Sequence, residues 1–172
     1  MKINELMIPV GEYRTVGVDA TFGTVAAALV DSGHRDVIVV DHDGNLAGVL
    51  TMTDILVALE PNYKKLGKKD LSSDTLSNRY VADIFKEFDL WSDTLGKVCQ
   101  QGSSTKVSQA MYVPADAEYL NEDDELEHAI HRFIVGTHQP LLVRKNGAIT
   151  GVLRLSDVFE EITKRMLACK AE

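Results

Sequence analysis

The apolar positions fall into two similar runs of short strands and helices, separated by a long polar stretch. In the first run, Val16 and Val18 alternate with small residues, which predicts a short strand. Phe22, Val25, Ala26 and Leu29 recur at helical spacing and Gly33 supplies a left-handed terminator, so a helix is predicted over 22–32. Val37 to Val40 is an unbroken apolar run of strand length. Asp43-Gly44 then offers a favoured two-residue hairpin turn, and Leu46 to Leu50 is the returning strand. A closing helix is predicted from about Thr53 to Leu59. Residues 2–8 suggest a helical turn stopped by Pro9, which has no N–H with which to continue it.

The second run has the same order. Glu118 to Leu120 is the short strand, and a helix over 126–135 turns Leu126, Ala129, Ile130 and Phe133 inward. Pro140 to Val143 and Ile149 to Leu153 form a hairpin around Asn146-Gly147, and Ser156 to about Leu167 closes the unit. The stretch Gly48-Val-Leu-Thr-Met-Thr-Asp54 returns as Gly151-Val-Leu-Arg-Leu-Ser-Asp157, in a register without a gap from Gly33/Gly136 to Ile55/Val158. A repeat of this kind predicts units that cannot cover their own sheet faces and must pair. The expected fold is α/β (α+β): two β-α-β-β-α units related by a pseudo-twofold, with an inserted helical linker. The division along the chain is 1–60, 61–105 and 106–172. In the middle segment, Lys64, Lys65, Lys68 and Lys69 form a solvated face. Val81, Ile84, Phe85, Phe88, Leu95 and Val98, with Trp91 nearby, predict one or two amphipathic helices, followed by a loop at Gln101-Gly-Ser-Ser104.

Composition narrows the function classes. A net charge of −8 argues against a general nucleic-acid binder, which needs a basic face. No apolar run approaches the roughly 20 residues of a bilayer span, and the first residues lack a signal-peptide core. Cys99 and Cys169 have no metal-ligand spacing, which fits reduced thiols in a cytoplasmic protein. His128 and His131 lie i, i+3 near Glu125 and Glu127. They are read as the partly exposed face of a helix rather than as metal ligands. No nucleophile–base pair, Gly-rich phosphate loop or nucleophile elbow occurs, so no catalysis is expected.

The repeated motif carries polar chemistry where a strand runs into a helix. There the first N–H groups are unpaired and the dipole is positive. In one reading Thr53 and Ser156 are N-caps, and Asp54 and Asp157 complement the dipole. In the other, the Thr51 hydroxyl and Asp54 carboxylate bind a vicinal diol at the mouth of a crevice, beside a tight glycine at Gly48.

Gly48, Thr51 and Asp54 complete a signature of Gly, two apolar residues, Thr or Ser, two residues and Asp. With the two hairpins and closing helices, they make the chain resemble a tandem pair of CBS domains, or Bateman module, over about 2–59 and 106–167. The resemblance implies a regulatory module binding an adenosine derivative: AMP, ADP, ATP or S-adenosylmethionine. Thr51 and Asp54 would hold the ribose. Arg35 would reach phosphate, or else be an exposed turn residue paired with Asp36. His138 holds the matching register position in the second copy, or is a surface histidine. Arg154 stands where Thr51 stands, while Ser156 and Asp157 are kept. That second site would be empty, bind weakly, or send Arg154 across to the first site's phosphates. A homodimer signalling to a separate protein is implied, and Phe85, Phe88 and Trp91 need a surface to cover. The alternative is an assembly module whose clefts stay empty.

Overall fold

The computed structural model describes residues 1–60, 62–63, 78–92, 94–136 and 139–168, with side chains from 81 rather than 78 in the linker helix. The elements are β1 (Ile8–Pro9), β2 (Thr15–Gly17), α1 (Phe22–Ser32), β3 (Asp36–Val40), β4 (Leu46–Thr51) and α2 (Met52–Leu59) in the first part. They continue with α3 (Asn78–Glu87), α4 (Thr94–Ser104), β5 (Leu120–Asn121), α5 (Leu126–Val135), β6 (Leu141–Lys145), β7 (Ala148–Leu153) and α6 (Leu155–Ala168).

Local chemistry sets these bounds. Thr21 caps α1 by accepting the Thr24 N–H, and Gly33 ends it at φ 66°, a conformation that penalises any Cβ. The buried stripe of α1 is Phe22, Val25, Ala28 and Leu29; Ala26, expected inward, is exposed, and Ala28 is buried in its stead. The second hairpin turns on Asn146-Gly147, both with positive φ. The first does not turn on two residues. Its loop runs from Asp41 to Asn45, with the Asp41 carboxylate accepting the Asp43 and Asn45 N–H groups. The first loop therefore carries the extra residue that the gapless alignment hid. Ile38 pairs with Val49, and Leu142 with Val152. By that pairing the equivalent of Arg35 is Gln139, not His138.

Strand order in space does not follow order in sequence. One sheet is β2-β3-β4 and the other β1-β7-β6-β5. β1 comes from the N-terminus yet pairs antiparallel with β7, placing Ile8 opposite Val152 and Pro9 opposite Gly151. The preceding residues, expected as a helical turn over 2–8, make only a short 3₁₀ turn at Ile3–Glu5. Ile3 is fully buried in the second unit's core with Leu120, Leu126, Phe133 and Val158. In exchange, the segment after α4 serves the first unit. Phe22 N–H donates to Thr105, Val107 N–H to Ala20, and Val49 and Tyr112 exchange both backbone bonds at 2.8 Å. This exchange explains the repeated glycine: a Cβ on Gly48 would lie 2.6 Å from the Tyr112 carbonyl, and one on Gly151 2.9 Å from the Ile8 carbonyl.

Two further expectations change. The short strand predicted over 118–120 is instead β5, after a 3₁₀ turn at Asp116–Glu118. The loop predicted at Gln101-Gly-Ser-Ser104 is the last turn of α4. Ser103 and Ser104 hydroxyls fold back onto the Gln100 carbonyl at 2.9 Å, and Gly102 meets Gly23 where α4 crosses α1. Between the two sheets, Tyr13, Ile38, Val49, Leu142 and Val152 form a shared buried layer.

Candidate functional site

β4 delivers Thr51 to the start of α2 in an extended conformation, φ −102° and ψ 163°. Its hydroxyl accepts the Asp54 N–H at 3.1 Å and donates to Asp54 Oδ2 at 2.8 Å. The Thr51 N–H donates to that same oxygen at 2.9 Å. This is a reciprocal capping box, which requires a three-residue spacing from cap to acid. The N-cap is therefore Thr51 rather than Thr53, whose side chain is exposed. Gly48, Thr51 and Asp54 thus all have a role in holding the fold, before any ligand is considered. Val49 and Thr51 alternate onto the same face of β4, the face turned toward the other unit.

At the equivalent junction of α6, Arg154 replaces the hydroxyl and engages the acid directly. Its Nε–H donates to Asp157 Oδ2 at 2.8 Å and an Nη2–H to Oδ1 at 2.6 Å, the bidentate fork of a guanidinium on a carboxylate. The guanidinium is turned onto its own helix. Ser156 is exposed, with its hydroxyl 3.5 Å from Asp157; it is not the N-cap, because the chain enters α6 one residue earlier, at Leu155.

Facing this fork are three groups from the first unit. The Tyr13 hydroxyl donates to the buried Asp36 carboxyl, and the Tyr13 ring stacks on His34 at 5.1 Å. Burial pushes the protonation of both Tyr13 and Asp36 upward from their ordinary values. The Tyr13 hydrogen bond and the His34 and Arg154 charges only partly offset this at Asp36. Asp36 is thus committed to Tyr13 rather than to Arg35. The Arg35 side chain is exposed, while its carbonyl accepts the Met52 N–H at 2.9 Å. His138 lies outside the described residues.

Two clefts open between the units. The first, about 560 Å³ counting the space open to solvent at its mouth, is walled by Val49, Pro114, Pro140 and Leu142 with Tyr112, Glu118 and Arg132 at polar points. Tyr112 donates to Glu118 at 2.6 Å and is pushed up to about 12 by that bond, with burial adding to it; the Ala115 N–H fixes the same carboxylate at 2.7 Å. The second cleft, about 1020 Å³, lies at the hairpin ends, where Arg144 stands 5.2 Å over the Tyr119 ring and pairs with Asp116 at 3.3 Å. Thr51, Asp54, Arg35, Arg154, Ser156 and Asp157 are not among the lining residues of either cleft. Sequence reasoning missed Tyr112, Glu118 and Arg132. Long-range pairings, Tyr112 with Val49 among them, bring that segment to the first unit, and no local pattern signals them.

Among the described residues, no group of three or more His, Cys, Asp or Glu is placed to hold a metal ion. His128 and His131 are both exposed on α5. No described helix is long and apolar enough to cross a membrane.

Residues 3–61 match the family model of the CBS domain. No protein of curated function matches the chain. Similar solved structures include a CBS-domain containing protein from Agrobacterium tumefaciens, 17% identical, covering 94% of this chain and 98% of that one at a TM-score of 0.63. Another is CBSX2, solved in complex with AMP, 16% identical over 96% of this chain and 98% of that one, TM-score 0.63. A third is a CBS domain-containing protein from Bacillus anthracis, 19% identical, with coverages of 95% and 94% and a TM-score of 0.61. Identities this low establish a common fold over nearly the whole length, second unit included.

Proposed function

We propose that this chain, a tandem pair of CBS domains, is a regulatory module that binds an adenosine derivative (AMP, ADP, ATP or S-adenosylmethionine) in the cleft beside Val49 and signals to a separate protein. The observation that carries the reading is that cleft. It has apolar walls of the kind that take a flat base, with Arg132 among its lining residues and the Glu118 carboxylate held in place, and lies next to Thr51 along β4. The bound AMP in CBSX2, which shares the fold, supports the ligand class. Thr51 and Asp54 would serve the ribose from the rim without giving up the capping box, since a carboxylate has more than one acceptor site. Arg132, on α5, is the better-placed cation for phosphate than Arg35. The nucleotide acts as a transient effector rather than a resident cofactor, and the free Cys99 thiol fits a cytoplasmic setting.

Thermal unfolding with and without AMP, ATP or S-adenosylmethionine tests this reading. At a hundredfold excess over Kd, one ligand bound only to the native state adds about 2.7 kcal/mol, or roughly 5–10 °C in Tm for a chain of this size. Arg132→Ala should shrink the shift given by the phosphate-bearing ligands while leaving the unliganded Tm in place. No shift with any of the three at millimolar concentration would favour the rival reading, an assembly module with unoccupied clefts.

A further inference from the structure

The pseudo-twofold partner of the open cleft is filled. Strand pairing fixes the equivalences: Ile38 and Leu142 sit opposite Val49 and Val152, so Asp36 occupies the place of Pro140, and Arg154 that of Thr51. The exchanged segments pair at Ile8 with Val152 and at Tyr112 with Val49. Counting on from these pairs puts Tyr13 in the neighbourhood of Ala117. The partner position of the open cleft carries the larger or charged Tyr13, Asp36 and Arg154 where the open side has Ala117, Pro140 and Thr51; of these, Pro140 lines the open cleft itself.

We infer that the chain closes this cleft with its own side chains, Tyr13 and Asp36 from the first unit and the Arg154–Asp157 fork from the second, so that the pair accepts one ligand per chain. Tyr13 and Asp36 are 5% and 8% exposed, so the phenol and carboxyl have taken the space. Tyr13 is held on two sides, by its hydrogen bond to Asp36 and by the stack on His34. The Arg154 guanidinium is doubly bonded to Asp157 and close enough to Tyr13 and Asp36 for its charge to favour their ionised forms. A nucleotide entering here would have to unstack Tyr13 and leave the buried Asp36 without its donor. It would also have to place phosphate near two acids whose cation is already taken. The hydrogen bonds of the cluster stay within each unit, Tyr13 to Asp36 in the first and Arg154 to Asp157 in the second, and the two pairs meet through the charge of Arg154.

The ligand count rests on the function proposed above, so the test has one arm that uses AMP and one that does not. Isothermal titration of the full chain with AMP should give one site per chain. Tyr13→Ala/Arg154→Thr, which copies the open cleft into the closed one, should give two. Two sites in the native chain would overturn the closure, as would a folded double variant that stays at one. The second arm is the Arg154 Nε–H resonance, assigned by its loss in Arg154→Lys. Its hydrogen bond should slow exchange with water by roughly tenfold or more relative to an exposed arginine, with no change on adding AMP. Exchange as fast as at an exposed arginine overturns the closure even if AMP does not bind or the double variant does not fold. A native chain that binds no AMP but retains the slow Nε–H would sink only the proposed function.

Discussion

At the scale of the residue, the repeated motif is first a folding device. Gly48 admits the Tyr112 carbonyl, and Thr51 and Asp54 satisfy one another across the first turn of α2. Two threonines, Thr51 and Thr53, precede that acid in the sequence, and either is acceptable as a cap by type. What separates them is where β4 stops being extended, which the backbone decides and residue identity does not. The difference is measurable. Thr51→Ala removes the acceptor for the Asp54 N–H and should lower stability by about 1 kcal/mol in urea unfolding. Thr53→Ala, at an exposed position, should stay within about 0.5 kcal/mol. Equal losses from the two would mean that the cap had been assigned to the wrong residue.

At the scale of the element, a buried carboxylate ties the end of α2 to the start of α4. Glu60 ends α2, and although it is 2% exposed it accepts from the Asn62 N–H at 3.0 Å, the Trp91 N–H at 2.8 Å and the Thr94 hydroxyl at 2.6 Å. Thr94 opens α4, so the charge also sits near that helix's positive end. Burial alone would raise the carboxyl, but the donors outweigh it and hold Glu60 below its ordinary value. A group depressed in the folded state contributes stability above its unfolded pKa and loses that contribution as pH falls through the folded one. Glu60→Gln should therefore cost about 1–3 kcal/mol at pH 7. The gap to the native chain should narrow as pH drops below about 4.3, the ordinary glutamate value. A gap that stays constant from pH 7 to pH 3 would show that the charge is not what holds the junction. The same region marks the limit of what the pattern reveals. The extent of α1 and the existence of the hairpin strands and closing helices follow from apolar spacing and Gly33, while the starts of the closing helices do not. The polar, small Gln101-Gly-Ser-Ser104 does not look helical, and only the crossing of α4 on α1 at Gly23 makes it so.

At the scale of the whole molecule, the two units hold each other through exchanged segments: residues 1–9 serve the second core and residues 105–112 the first. A two-residue strand such as Ile8–Pro9 has no periodicity, and its partner β7 lies near the far end of the chain. For the same reason the Tyr13–Asp36–Arg154 cluster is invisible in sequence, its members being close only after the sheets have paired. The repeat also leaves a matched outer surface. Val30 and Ile134 are 76% and 77% exposed, Met52 and Leu155 40% and 42%, and Leu56 and Phe159 51% and 67%. Each pair holds equivalent places on α1 and α5 or on α2 and α6, and Met52 and Leu56 share a helix face at i, i+4. Single exposed apolar residues need no explanation, but the same three positions left apolar in both repeats give a face with its own approximate twofold. The partner that matches such a face is a second copy of the chain, since a twofold interface presents the same patch from both sides. We accordingly expect a homodimer joined through these helices, with a sedimentation mass of roughly twice the 19.0 kDa chain. Leu56→Glu/Phe159→Glu would bury like charges across the seam, so the variant should sediment as a monomer with unchanged far-ultraviolet dichroism. A native chain that remains monomeric at about 100 μM, a concentration at which a dimer with micromolar Kd would be largely formed, would remove the dimer from the account. It would leave these helix faces for the regulated protein.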